Sequence, residues 1–158
     1  MKEILEVLEN DGRASCEKIA TMLGMGVDEV KNSIEKLEKD GAIIKYKTII
    51  DWEKVEEEKV FAFIDVKVTP ERDKGFDAIA SRIAQYPEVH SLYLMSGAYD
   101  FAVVVEGKSM KDIAYFVAER LAIIENVTST TTHFILKKYK VDGIILEKQE
   151  DTRIALMP

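Results

Sequence analysis

The sequence predicts an α+β fold built from two unlike halves. Three observations carry this reading: apolar residues at helical spacing from Met1 to Leu37, a change to strand-like alternation after Lys59, and a charged connector between the two. A length of 158 residues suits one ordinary domain or two small ones.

In the first half, Ile4, Leu5, Val7 and Leu8 make one apolar stripe, and Ile19, Ala20 and Leu23 make a second. Val27, Val30, Ile34 and Leu37 make a third. Asn10-Asp11-Gly12 ends the first helix, and Ser15 is placed to cap the second, with Lys18 rather than Glu at the capping-box position. Gly24 to Gly26 forms the next break, Asp28 brings negative charge to the start of helix three, and Asp40-Gly41 stops it. "AIIKYKTIID" then reads as a short β hairpin or ribbon. Three short helices with a tight second turn and a ribbon are the ingredients of a winged helix-turn-helix over residues 1–50. An ordinary three-helix bundle fits the same pattern.

Residues 51–59, "DWEKVEEEK", are expected to form a linker, with Trp52 packing between the halves. The second domain is expected over residues 60–140. In "VFAFIDVKV", Ile64, Val66 and Val68 fall on one face and Asp65 and Lys67 on the other. Phe76, Ile79, Ala80 and Ile83 mark a helix stopped near Tyr86-Pro87. "EVHSLYLMS" and "YDFAVVVEG" are strands joined by a turn, Ile113, Val117, Leu121 and Ile124 mark a second helix, and "VTSTTTHFILKKY" is a last strand. The order strand, helix, strand, strand, helix, strand predicts a ferredoxin-like βαββαβ domain with an antiparallel sheet and helices on one face. The bare face is expected to meet an identical subunit. The tail, residues 141–158, is expected either to add an edge strand or to lie across a partner.

Composition narrows the function. A net charge of -7 and a pI near 5.0 argue against a sequence-blind nucleic-acid binder, which needs a broad basic face, but leave room for a local one. The apolar runs are too short to span a bilayer, and the N-terminus lacks the pattern of a secretory signal. The one cysteine, Cys16, cannot form an intrachain disulfide. A cytoplasmic location without a membrane partner is the expectation.

Four stretches carry a family resemblance. "NDGRAS" precedes helix two, "LEKDGAIIKYKTII" leads into the wing, and "PEVHSLYLMSGAYDF" and "NVTSTTTHFILKKYK" follow in order. Together they resemble the Lrp/AsnC, or feast/famine, family of transcriptional regulators across nearly the whole chain. The resemblance implies a winged helix-turn-helix for double-stranded DNA. It also implies a second domain that dimerises, often builds octamers, and often senses an amino acid or similar small effector.

The DNA contacts it implies are Arg13, Lys31, Asn32, Ser33, Lys36, Lys39, Lys45 and Lys47. This chain departs from the family in helix three, where Ser33 and Glu35 replace arginines and Gly26 replaces a serine cap. A carboxylate facing the groove accepts from cytosine N4, and Asn32 can pair with adenine, whereas Glu35 beside a phosphate would oppose binding. Lysines grip phosphate as point charges without the bidentate fork of arginine, so weak binding per domain is expected, strengthened by linking copies.

The effector contacts implied are Ser96, Gly97, Ala98, Tyr99 and Asp100, with Thr130 and Thr132. Backbone N–H groups near Gly97 and the threonine hydroxyls would serve a carboxylate, Asp100 an ammonium, and Tyr99 an aromatic wall. Ala98 stands where many members carry an acidic residue. On the residues alone, the same loop reads as a strand connection, with Gly97 supplying unusual backbone angles and Asp100 bracing the turn.

No enzymatic constellation is expected. His90 and His133 belong to no cluster with metal spacing, and neither a phosphate-binding glycine loop nor a nucleophile elbow occurs. Sirohaem decarboxylases share the architecture, but their histidine-rich motif is missing here. No cofactor is expected. The competing reading is a small-molecule-binding or assembly protein of the same fold that has lost strong DNA binding.

Overall fold

A computed structural model describes residues 1–55, 59–70 and 75–146. The chain divides into two compact units, Met1–Ile50 and Asp51–Pro158.

Three helices make the first unit: α1 (Lys2–Asn10), α2 (Cys16–Leu23) and α3 (Val27–Lys39). Ile4, Ile19, Ala20 and Val30 are its buried centre, with Val7, Leu8, Leu23 and Ile34 packed around them. These are the positions the helical spacing marks. Ser15 caps α2 by accepting from the Lys18 backbone N–H at 3.2 Å, and Gly24 ends it in the left-handed region at φ 66°. Asp11 braces the α1–α2 turn, accepting from the Lys18 ammonium at 2.7 Å and from the Arg13 backbone N–H at 3.1 Å.

The expected ribbon differs. Residues 44–50 form no regular element and join no ladder among the described residues. The reason is visible in "AIIKYKTII": no Gly, Pro, Asn or Asp interrupts it, so the run has no place to turn back on itself. Tyr46 fastens the segment instead, its hydroxyl donating to Glu38 Oε1 of α3 at 3.0 Å. Burial, then this bond, pushes the Tyr46 phenol up from its ordinary value.

The second unit holds a four-stranded antiparallel sheet in the order β2-β3-β1-β4. Its strands are β1 (Val60–Val68), β2 (Val89–Leu94), β3 (Phe101–Gly107) and β4 (Val127–Ile135), with α4 (Asp77–Ala84) and α5 (Met110–Phe116) as the intervening helices. One face buries Ala62, Ile64, Val66, Phe101, Val103 and Val105 in a common core with Ile79 and Ile83 of α4 and Ile113 and Phe116 of α5. The expected βαββαβ order is therefore present. Phe116, which the spacing overlooks, is buried while Val117 is only partly so. A π-helical turn at Val117–Leu121 follows α5, and its wider pitch changes the phase of the buried stripe. The Arg120 guanidinium pairs with Glu88 and lies 4.5 Å from the Tyr86 ring centre, which fastens this turn to the segment before β2.

Trp52 lies in a 3-10 turn, Trp52–Val55, with the Lys59 ammonium 3.9 Å from its ring centre. Beyond the sheet, β5 (Lys140–Val141) and β6 (Ile144–Ile145) pair with each other. Asp142 and Gly143 turn between them, both at positive φ, 46° and 82°. The described part of the tail thus pairs with itself and not with the sheet edge, and residues 147–158 lie outside the described residues. Among the described residues, no helix is long and apolar enough to cross a membrane.

Two outcomes follow from these contacts. The Lys18 hydrogen bond, then that from Arg13, holds the Asp11 carboxyl below its ordinary value. A depressed folded-state pKa contributes stability present above the unfolded value and lost as pH falls through the folded one. Carbon-detected NMR titration should give Asp11 an acid-shifted midpoint, which Lys18→Ala moves back up. In the second unit, Ile83→Ala should cost about 2–5 kcal/mol. Chemical denaturation followed by the fluorescence of Trp52, which belongs to that unit, measures it.

Candidate nucleic-acid interface and effector loop

Helix α3 turns its apolar side inward through Val30, Ile34 and Leu37. With 3.6 residues per turn, the opposite side is a stripe of Asp28, Asn32, Glu35 and Lys39. All four are exposed, as are Lys31 and Lys36 on either shoulder. Ser33 departs from the expected set. It is half-buried, because steps of three and four residues place it beside Val30 and Leu37. The first turn carries Asp28 and Glu29 and the last carries Lys36 and Lys39, so each charge stands at the end of the helix dipole that favours it. Arg13 is exposed in the α1–α2 turn, and Lys45 and Lys47 are exposed on the segment after α3. The surface of α3 is thus mixed in charge, with Asp28, Glu29, Glu35 and Glu38 interleaved with Lys31, Lys36 and Lys39.

In the second unit, residues 96–100 connect β2 to β3. Ser96, Gly97 and Ala98 are exposed, while Tyr99 and Asp100 are half-buried. Asp100 is a brace: Oδ2 accepts from the Val68 backbone N–H at 2.9 Å, and its own N–H donates to Val66 O at 3.0 Å. Its carbonyl also accepts from the Met95 N–H at 2.8 Å. The loop is therefore tied to the end of β1. Tyr99 meets Phe63 edge to face, with ring centres 6.2 Å apart.

Gly97 does not have the backbone angles expected of it, since its φ lies outside the positive region. A Cβ built there meets nothing within 4 Å. Neither the turn nor its own neighbours require glycine at this position.

Thr130 and Thr132 lie elsewhere. They pair with Val66 and Ile64, both buried on the helix-covered face, so the threonines share that face. Asp100 precedes Phe101, which pairs with Val66 from the other side of β1. The threonines and the loop are thus separated by the central strand, about 10 Å at ordinary strand spacing. One chain does not bring the seven expected effector residues together.

The uncovered face carries groups the sequence left unassigned. His133 Nε2 lies 3.0 Å from Asp65 Oδ2, and the His133 ring tilts against Phe63 at 6.4 Å. The strict alternation of β1 and β4 was the available signal, since it places Phe63, Asp65 and His133 on one face.

Family models match both units. Residues 1–44 match a winged helix-turn-helix DNA-binding model, and residues 61–145 match the Lrp/AsnC ligand binding domain. The HTH-type transcriptional regulator YugG of Bacillus subtilis is 54% identical over 158 residues, covering 99% of this chain and 95% of that protein. The HTH-type transcriptional regulator FL11 of Pyrococcus horikoshii is 32% identical, covering 88% of this chain and 89% of its own length. Among solved structures, a feast or famine regulatory protein from M. tuberculosis complexed with L-methionine is 25% identical. It superposes with a TM-score of 0.74, covering 92% of this chain and 96% of that one. The three-helix unit with the exposed polar face of α3, the braced loop on a ferredoxin-like sheet and these matches lead to one conclusion: the chain belongs to the Lrp/AsnC family of DNA-binding transcriptional regulators.

Proposed function

We propose that this regulator grips its operator through α3 of several linked copies, and that an amino acid or similar small effector acts on how those copies assemble. It acts in the cytoplasm by binding and not by catalysing a reaction. The observation that carries the proposal is the separation of Asp100 from Thr130 and Thr132 by strand β1. A site using both groups needs more than one chain, which makes ligand binding and assembly one equilibrium.

The uncovered sheet face favours dimerisation. Phe63 and Val104 are partly exposed there, and Tyr93 is 55% exposed. Burying such surface against a second copy gains roughly 25 cal/mol per Å² of apolar area removed from water. Gly97 fits contact with another molecule, because its missing Cβ leaves backbone accessible in a loop that does not itself need glycine. The methionine complex of the M. tuberculosis relative supports an amino acid as the effector class. Such a ligand shifts assembly only through its differential affinity for the assembled states. Linking copies then compensates for weak lysine grips on phosphate.

Sedimentation and operator binding by fluorescence anisotropy, repeated with each common amino acid, test the mechanism. At least one amino acid should shift both the assembled mass and the operator affinity. No change in either across the set would rule those ligands out as effectors. Gly97→Val should leave the denaturation midpoint nearly unchanged while weakening assembly or the ligand response. Asp100→Ala, by contrast, strips the Val68 N–H of its partner and should cost about 1–3 kcal/mol of stability by chemical denaturation.

A further inference from the structure

The exposed side of α3 separates two kinds of polar group. Asp28, Asn32 and Glu35 occupy the middle of the arc, directly opposite Val30 and Ile34. Lys31 and Lys36 stand on its two shoulders, and Lys39 ends the stripe in the last turn. Lys31 and Lys39 are each four residues from Glu35, a spacing that permits ion pairs on a helix, yet no such pair is among the described salt bridges. Elsewhere in this unit, Lys18 is held by Asp11 and Tyr46 by Glu38.

When the second helix of a helix-turn-helix enters the major groove, the middle of its outward arc faces base edges, and its shoulders face the phosphate walls. A carboxylate at the middle is an acceptor without a donor. It suits the N4 amino group of cytosine and repels the acceptor edge of guanine. An asparagine there suits the N6 and N7 pair of adenine. We infer that Asp28, Asn32 and Glu35 are the specificity-determining residues of this protein, selecting a half-site in which an adenine lies between two cytosines read along the helix, while Lys31 and Lys36 hold the phosphates. Glu35 then faces the groove floor, away from the phosphate that it would oppose. At 1.5 Å per residue these side chains are spaced about 6 and 4.5 Å apart along the axis, which places the bases within about one to two base pairs of each other. The inference rests on the DNA-binding reading of the first unit.

Selection from a random duplex library with the full-length chain, followed by anisotropy on the enriched sequence, tests it. Wild type should enrich cytosine and adenine at three clustered positions. Glu35→Gln replaces an acceptor by a donor-acceptor amide, and should change one cytosine preference to adenine while leaving the other two positions alone. Asn32→Ala should erase the adenine preference, lowering discrimination there by about ten- to a hundredfold. Lys31→Ala with Lys36→Ala should weaken every sequence alike and flatten the salt dependence by about one phosphate contact per lysine. If wild type enriches a motif that Glu35→Gln and Asn32→Ala leave unchanged, the assignment of these residues is overturned and the regulator reading stands. If wild type enriches no sequence at all, both fall.

Discussion

Strand β1 is the constraint on which the second unit depends. It pairs with β3 on one side and β4 on the other, so its nine residues carry the register of the whole sheet. Alternation then assigns its two faces. Ala62, Ile64 and Val66 enter the core beneath α4 and α5, while Phe63 and Asp65 are left on the bare face. A slip by one residue would exchange those faces, burying Asp65 and Lys67 without partners. Asp100 fixes the end of the same strand by accepting from the Val68 N–H, so the loop that resembles an effector site is also part of the sheet's hydrogen bonding.

This double use shapes how the loop can act. A carboxylate with one oxygen committed to a backbone N–H keeps the other for an incoming group, and its position is set by the sheet rather than by a flexible turn. The threonine pair is set just as firmly, but on the strand that flanks the other side of β1. Rigid halves of a site that cannot meet within one chain favour completion by a neighbouring copy. In the proposed function, that arrangement is what couples ligand binding to assembly, with no large movement needed inside the subunit.

The first unit uses a different balance. A small apolar centre around Ile4, Ile19 and Val30 fixes three helices, and the outer face of α3 is left to polar groups. Net negative charge and DNA binding coexist because field strength at a groove depends on local placement and not on the whole-chain sum. In the proposed contacts, the lysine shoulders attract phosphate, and the carboxylates between them lower affinity for any duplex that offers no amino group to accept from. Modest affinity with sharper selection is the outcome that the proposed contacts predict.

The order of helices and strands, the three apolar stripes of the first unit and the caps of α2 were legible in the chain, because helical spacing, strand alternation and Ser15 or Gly24 act over a few residues. The α3 face was legible for the same reason, save for Ser33, whose neighbours lie a turn away in each direction. Other features were settled only in three dimensions. Phe116 and Leu121 are both buried although five residues apart, a step that the π turn between them makes possible. Thr130 and Asp100 are thirty positions apart in sequence, and only the pairing across β1 decided that they lie on either side of it. Short-range chemistry is written in the chain order, whereas pairing between distant strands is fixed by which faces must be buried together.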